Sequence, residues 1–190
     1  MEPRHRNDYR DGYTYDVAVK RGDTTFWMER AGAVAIDSTG DTIVLRVSAD
    51  RFHSYLQHIF GDFEFQMTIP AAPGATTDQS WGLRNPSDTQ VSCAYFAIDT
   101  NSGFTVNSGD NYGNLQTTAV TWDTNWSGTE VVSYRIRWEE DIINFLINDT
   151  VVATHSTRVG NKPQALELRN VTASSMDVRI VRVTRAGAII

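Results

Sequence analysis

Apolar residues recur at every second position along most of this chain, and helical spacing is almost absent. A side-chain period of two belongs to strands with one buried face, so the pattern limits the chain to sheet architectures. In "GDFEFQMTI", Phe63, Phe65, Met67 and Ile69 share a face, with Glu64, Gln66 and Thr68 opposite. In "SYRIRW", Tyr134, Ile136 and Trp138 stand against Arg135 and Arg137; in "DTIVLRV", Ile43, Leu45 and Val47 do the same work. "TYDVAVK" and "TTFWMER" flank an Arg21-Gly22-Asp23 turn. "MDVRIVRV" alternates with a slip at Ile180-Val181 that predicts a bulge.

Turn chemistry separates these runs: Ser38-Thr39-Gly40, Pro73-Gly74, Asn101-Ser102-Gly103, Asn107-Ser108-Gly109, Asn148-Asp149 and Asn161-Lys162-Pro163. Many short strands with polar turns predict an all-β sandwich or barrel. With 190 residues and 41% apolar content, the chain suits one such domain, read as 14–190, preceded by a polar arm or tail over 1–13. The small, polar stretch from Ala71 to Asp78 reads as a long exposed loop.

Charge narrows the partners. A net charge of -6 argues against general nucleic-acid binding, which needs a basic surface, and Arg179, Arg182 and Arg185 read as the solvated face of a strand. A single cysteine, Cys93, excludes an internal disulfide and reads as a buried thiol. No apolar run is long enough to span a membrane, and no signal peptide is visible in "MEPRHRNDYRDGYTY". Localisation is left open, with a virion or a cell surface both compatible.

"YRIRWEEDIINFLINDTVVATHST" resembles the late hairpin of the concanavalin A-like lectin and glucanase superfamily, and most of all its laminarinase-like and laminin-G-like members. Trp138, Ile143, Phe145, Ile147, Asn148, Asp149, Val151 and Val152 occupy the positions of that pattern. "SYLQHIFGDFEFQMTI" is similar to the superfamily's strand–Gly–strand passage, and "SWGLRN" to the strand that follows it. The resemblance covers Ser54 to Ile190 and implies a jelly-roll sandwich. It does not choose a function, because the superfamily contains enzymes, lectins and adhesion modules. Residue by residue, Asn148-Asp149 suits a two-residue hairpin turn because both tolerate left-handed backbone. Ile142 and Leu146 add apolar surface opposite Ile143, Phe145 and Ile147, so that strand reads as covered on both sides.

The hydrolases of the superfamily carry carboxylates two residues apart on one concave-facing strand, where they can flank a single glycosidic bond. The corresponding strand here, "VSCAYFAIDT", points Ala94, Phe96 and Ile98 to the core and Cys93, Tyr95, Ala97 and Asp99 outward, so it offers one carboxylate. Catalysis is therefore not expected. Glu139-Glu140-Asp141 reads as a solvated turn, and the four histidines lack metal-ligand spacing. "AIDTNSG" resembles the calcium loops of plant lectins, with Asp99, Asn101 and Asp110 as oxygen donors for Ca²⁺; an Asn-Gly-type turn explains it as well, and no cofactor is expected.

Aromatic and polar surface remains. Trp122, Asn125 and Trp126 lie in "TWDTNWSG", Trp81 and Tyr112 sit beside Gly, and Tyr95 and Asp99 share the outward face. Sugars stack on such rings while amides and carboxylates take their hydroxyls. Trp122, Trp126, Asn125, Tyr95, Asp99 and Trp81 are the candidate ligand-binding residues of a non-catalytic, lectin-like module. A structural component of a virion or surface assembly is the alternative, with a divergent glycoside hydrolase third. The expected partners are a glycan or a protein surface, with a homo-oligomer or larger assembly in view.

Overall fold

The computed structural model describes residues 13–17, 27–31, 35–36, 43–45, 50–58, 60–68, 78–85, 91–99, 102–121, 130–170 and 176–185. These residues contain strands and turns and no helix. The eight-stranded sheet is built from β1 (Tyr13–Val17), β3 (Ala35–Ile36), β4 (Ile43–Leu45), β6 (Gly61–Thr68), β11 (Val132–Trp138), β12 (Ile143–Ile147), β13 (Thr150–His155) and β15 (Met176–Arg185), in the order β13-β12-β11-β6-β15-β4-β3, with β1 also paired to β15. The seven-stranded sheet is built from β2 (Trp27–Ala31), β5 (Asp50–His58), β7 (Gln79–Arg84), β8 (Ala94–Asp99), β9 (Gly103–Gly109), β10 (Leu115–Ala119) and β14 (Gln164–Asn170), in the order β10-β9-β8-β7-β14-β5-β2. Every pairing is antiparallel. This is the sandwich that the alternation allows and the jelly roll that the resemblance implies.

The core lies where the two apolar faces meet. Phe63, Phe65, Met67, Tyr134, Ile136, Trp138, Ile143, Phe145 and Ile147 come from one sheet, and Trp81, Leu83, Phe96, Ile98, Phe104, Val106, Leu166 and Leu168 from the other. Aromatic rings lock the two together: Trp81 stacks on Phe96 at 5.8 Å, and Tyr134 meets Trp81 edge-on at 4.8 Å. Trp81 is 0% exposed in the middle of β7, so the expectation that it lies near a strand end and contacts ligand is corrected. Its indole is a core element.

Local chemistry explains the joints. Asn148 and Asp149 take φ of 47° and 63°, the left-handed pair that a two-residue hairpin requires. Phe60 and Gly61, both at positive φ, turn the chain from β5 into β6. The bulge in β15 falls between Val178 and Ile180, beside the position where the pattern slips. Two expectations fail. Asn107, Ser108 and Gly109 form no turn; they are buried in β9, because Asn107 bonds Thr105 and Thr117, and Ser108 bonds His155. Ile142, 37% exposed, precedes β12 at a turn, so of the pair expected to cover the strand's second side only Leu146 is buried.

His155 ties the sheets together at one flank. From β13 its Nδ1 lies 2.8 Å from Ser108 Oγ on β9 and its Nε2 lies 2.9 Å from Thr118 Oγ1 on β10. Burial pushes the ring's pKa below its ordinary value. The unfolded chain therefore takes up this proton more readily, and the stability His155 contributes is complete above about pH 6.5 and is lost as pH falls below it. The melting temperature of the wild type should fall more between about pH 7 and about pH 5 than that of His155→Gln. Parallel pH profiles would show that His155 does not titrate in this way.

Candidate functional site

The outer face of the seven-stranded sheet carries polar residues in register. Glu29 is opposite His53, His53 opposite Glu167, Glu167 opposite Gly82, Gly82 opposite Tyr95, Tyr95 opposite Asn107, and Asn107 opposite Thr117. These positions form one row across all seven strands. At about 4.8 Å between strands it runs for about 29 Å. The residues are scattered from 29 to 167 in sequence, and only the strand order brings them into line.

At the centre of the row lies a buried ionic cluster. Glu167, 0% exposed, receives His53 Nε2 at 2.6 Å on one oxygen and Arg84 Nη1 at 3.1 Å on the other. The Arg84 guanidinium also lies over the Tyr95 ring, 4.6 Å from its centroid. Burial, only partly offset by Arg84, pushes the Tyr95 phenol up to about 12, and burial does the same to the Cys93 thiol. Tyr95 is therefore a neutral hydroxyl at physiological pH, and Cys93 is a protonated thiol with no nucleophilic character. Glu167 has one oxygen held by the Arg84 guanidinium and the other by the His53 ring, which fixes its orientation.

Between these groups the backbones pass close together. Gly82 has φ of 151°, and a Cβ there would stand 2.4 Å from the Ala94 carbonyl oxygen and 2.5 Å from Tyr95 Cα. One row along, Ser80 is opposite Ala97, which is opposite Thr105, which is opposite Ala119. Small side chains thus follow one another across this face. Among them the Ser80 hydroxyl, in a residue only 4% exposed, has no hydrogen-bond partner. The face is closed over His53 and Glu167 and opens toward β10, where Thr117 and Ala119 are exposed.

The expected ligand-binding residues separate. Tyr95 lies in the row, and Asp99 is at the far end of the same strand, where one oxygen accepts the Ser102 amide at 2.6 Å. Trp122, Asn125 and Trp126 lie outside the described residues. β10, which precedes them in sequence, ends beside Phe104, whose carbonyl accepts the Val120 amide, at the same end of the sheet as Asp99. Trp81 faces the opposite side of the sheet, in the core.

The expected cation donors do not converge. Asp99 and Asp110 sit at opposite ends of β9, about 20 Å apart at strand rise. Asn101 lies outside the described residues. Asp110 is already satisfied: its oxygens accept the Asn114 side-chain amide, the backbone amides of Asn114 and Tyr112, and Arg158 Nη1, which together hold its carboxyl down to about 2. This locked turn presents Tyr112, 89% exposed. Among the described residues no cluster of His, Cys, Asp and Glu has metal-binding geometry.

The row could not be read from sequence. Glu167 in "ALELRN" and His53 in "RFHSYL" look like ordinary solvated strand positions until the register sets them side by side. The signal that was present is Arg84 two residues after Gly82 in "SWGLRN": a charged residue beside a glycine in a strand otherwise buried throughout.

If the cluster holds the sheet centre together, Arg84→Met alone should be costly, since it leaves the Glu167 carboxylate buried with half its partners. Urea denaturation should show a loss of about 3–5 kcal/mol, and Arg84→Met combined with Glu167→Leu should recover part of it. Additive losses in the double variant would mean that the two side chains do not interact.

No family model and no curated protein sequence matches this chain. Solved structures do. A Crh5 transglycosylase in complex with NAG is 18% identical, with a TM-score of 0.65 over 94% of this chain and 85% of that one. The β-glucanase of Bacillus licheniformis is 13% identical, with a TM-score of 0.66 over 92% and 98%. LamA of Zobellia galactanivorans, in complex with laminaritriose and laminaritetraose, is 13% identical, with a TM-score of 0.64 over 93% and 100%. The chain thus has the concanavalin A-like jelly-roll fold found in these glycan-processing enzymes.

Proposed function

We propose that this protein is a non-catalytic glycan-recognition module that binds on the outer face of its seven-stranded sheet. The observation that carries the reading is the strip of small residues at Ser80, Gly82 and Ala97 on that face, with the unpartnered, nearly buried Ser80 hydroxyl. A sugar hydroxyl satisfies such a group. Thr117, exposed on β10, adds a hydroxyl at the open side. Trp122, Asn125 and Trp126 follow β10 in sequence, and their rings are of the kind that stacks on a sugar. The glycan ligands of the structural neighbours support the class of ligand.

The divergent-hydrolase reading needs a pair of carboxylates about 5–9.5 Å apart. Glu167 and Asp99, both on the outer face, are separated by two strand spacings and four residues along the strand, on the order of 16 Å, so that pair is too far apart to flank one bond. Glu167 is instead a positioning group that holds Arg84 against Tyr95.

Binding is measured by titration calorimetry with laminari-oligosaccharides and by glycan array. Trp122→Ala and Trp126→Ala should each weaken affinity by about tenfold with little change in melting temperature. Ala97→Tyr should abolish binding by placing a bulky ring among the small residues of that face. Incubation with laminarin should release no reducing ends. Hydrolysis abolished by Glu167→Gln would overturn the non-catalytic reading, and full affinity in Ala97→Tyr would move the site off this face.

A further inference from the structure

One end of the sandwich carries two unlike features. The register aligns Gly109 of β9, Arg84 of β7, Gln164 of β14 and His58 of β5 at that end, and the Phe60-Gly61 turn brings Trp138 of β11 to it as well. The first feature is a basic tip. Asn111, in the turn after β9, accepts the Ser92 hydroxyl at 2.6 Å and the Asn161 amide at 3.0 Å, and donates to Asn161 Oδ1 at 2.7 Å. With the bonds to Asp110, these brace the turn on both sides, so the exposed Tyr112 stands on a rigid base. Arg158, bonded to Asp110, and Lys162, whose amine lies 3.4 Å from the Asn111 carbonyl oxygen, flank it. Two cations there outweigh one carboxylate.

The second feature is an acidic cavity of about 420 Å³, whose lining includes Phe60, Asp62, Arg137, Trp138, Glu139 and Glu140. Phe60 meets Trp138 edge-on at 6.0 Å and forms its apolar wall. Asp62 is paired with Arg135 and Arg137, whereas Glu139 and Glu140 are exposed. Trp138 is 1% exposed, and among the described residues its Nε1 has no hydrogen-bond partner. A buried donor left unpaired costs free energy that an incoming acceptor recovers. Tip and cavity are separated by two to three strand spacings and the gap between the sheets, on the order of 15 Å, so Tyr112 does not reach the cavity of its own chain.

We propose that two copies of this chain dock end to end, the Tyr112 turn of each seated in the Phe60–Trp138 cavity of the other. Charge and shape both match: a basic tip meets an acidic cavity, and a projecting ring meets an aromatic wall. The cavity is large enough for one tyrosine side chain. It offers the Tyr112 hydroxyl an indole N–H to accept from and carboxylates to donate to, while Arg158 and Lys162 face Glu139 and Glu140 across the rim. A two-fold axis lying in the end face, midway between tip and cavity, exchanges the two and makes both contacts at once, as an isologous interface requires. The bonds that hold the turn are made before docking, so seating Tyr112 costs little further chain entropy. The contact leaves the outer face of the seven-stranded sheet open, and it does not depend on the glycan reading of that face.

The full chain is followed by sedimentation velocity over a concentration series. The wild type should show a monomer–dimer equilibrium that weakens as salt rises. Tyr112→Ala should raise the dimer dissociation constant at least about tenfold. Lys162→Glu makes the tip acidic, and Glu139→Lys combined with Glu140→Lys makes the cavity basic. Each of these proteins alone should stay monomeric at concentrations where the wild type dimerises. Mixed in equal amounts they should form a heterodimer, because each tip then meets a cavity of opposite charge, and this also shows that both are folded. A wild type that sediments as a monomer at every concentration overturns the proposal. So does a dimer that Tyr112→Ala or either charge variant leaves unchanged, because its contact then lies elsewhere. A mixture that stays monomeric, while near-ultraviolet circular dichroism shows both variants folded, overturns it too.

Discussion

The sandwich depends on one block of interlocked rings between its sheets. Trp81, Phe96 and Phe104 lie nearly parallel on adjacent strands of one sheet, and Tyr134 meets all three edge-on from the other, with Phe145 edge-on to Phe96. Their geometry fixes the height and offset at which the sheets pack. It also decides what the opposite face of β7 and β8 can be. Once Trp81 and Phe96 point inward, Gly82 and Tyr95 must point outward, and the strip of small residues at Ser80, Gly82 and Ala97 follows from that parity.

Much of the fold was legible because alternation encodes it directly. The strands carrying Phe63, Tyr134, Ile143 and Phe96 face as their periods predict, and Asn148-Asp149 turns as its chemistry predicts. Asn107-Ser108-Gly109 misled because its composition is that of a turn. In β9 those polar side chains are satisfied across strands, by Thr117 and His155, and sequence does not show a cross-strand partner. Trp81 misled for a related reason: a glycine beside an indole suggests a loop, whereas here it lets the backbone of β7 pass close to Tyr95. The candidate site was less legible than the fold. Its face could be named from Tyr95, but Glu167, His53 and Arg84 come from distant segments, and only strand order makes them neighbours.

The other sheet turns a contrasting surface to solvent. Glu64 receives Arg182 and the Ser133 hydroxyl, and Asp62 receives Arg135 and Arg137, in an acid–base mosaic at partly exposed positions. Exposed pairs like these contribute little stability, but they keep the sheet's outer face hydrated and unattractive to other chains. Of the two broad faces, then, one is neutralised by matched charges and the other is hollowed by small residues. The proposed recognition site lies on the second.

The left-handed turn at Asn148-Asp149 has a consequence in time. It makes β12 and β13 neighbours through two residues of chain, whereas Asp62 must find Thr184 to join β6 to β15. Closing the long loop costs more chain entropy before any contact repays it. The β11–β12–β13 meander, like the β7–β8–β9–β10 run of the other sheet, can thus assemble from local chain alone. During synthesis it is complete before β15 exists to pair with β6, so a nascent chain holds the outermost strand of its sheet ready before the middle of that sheet is filled.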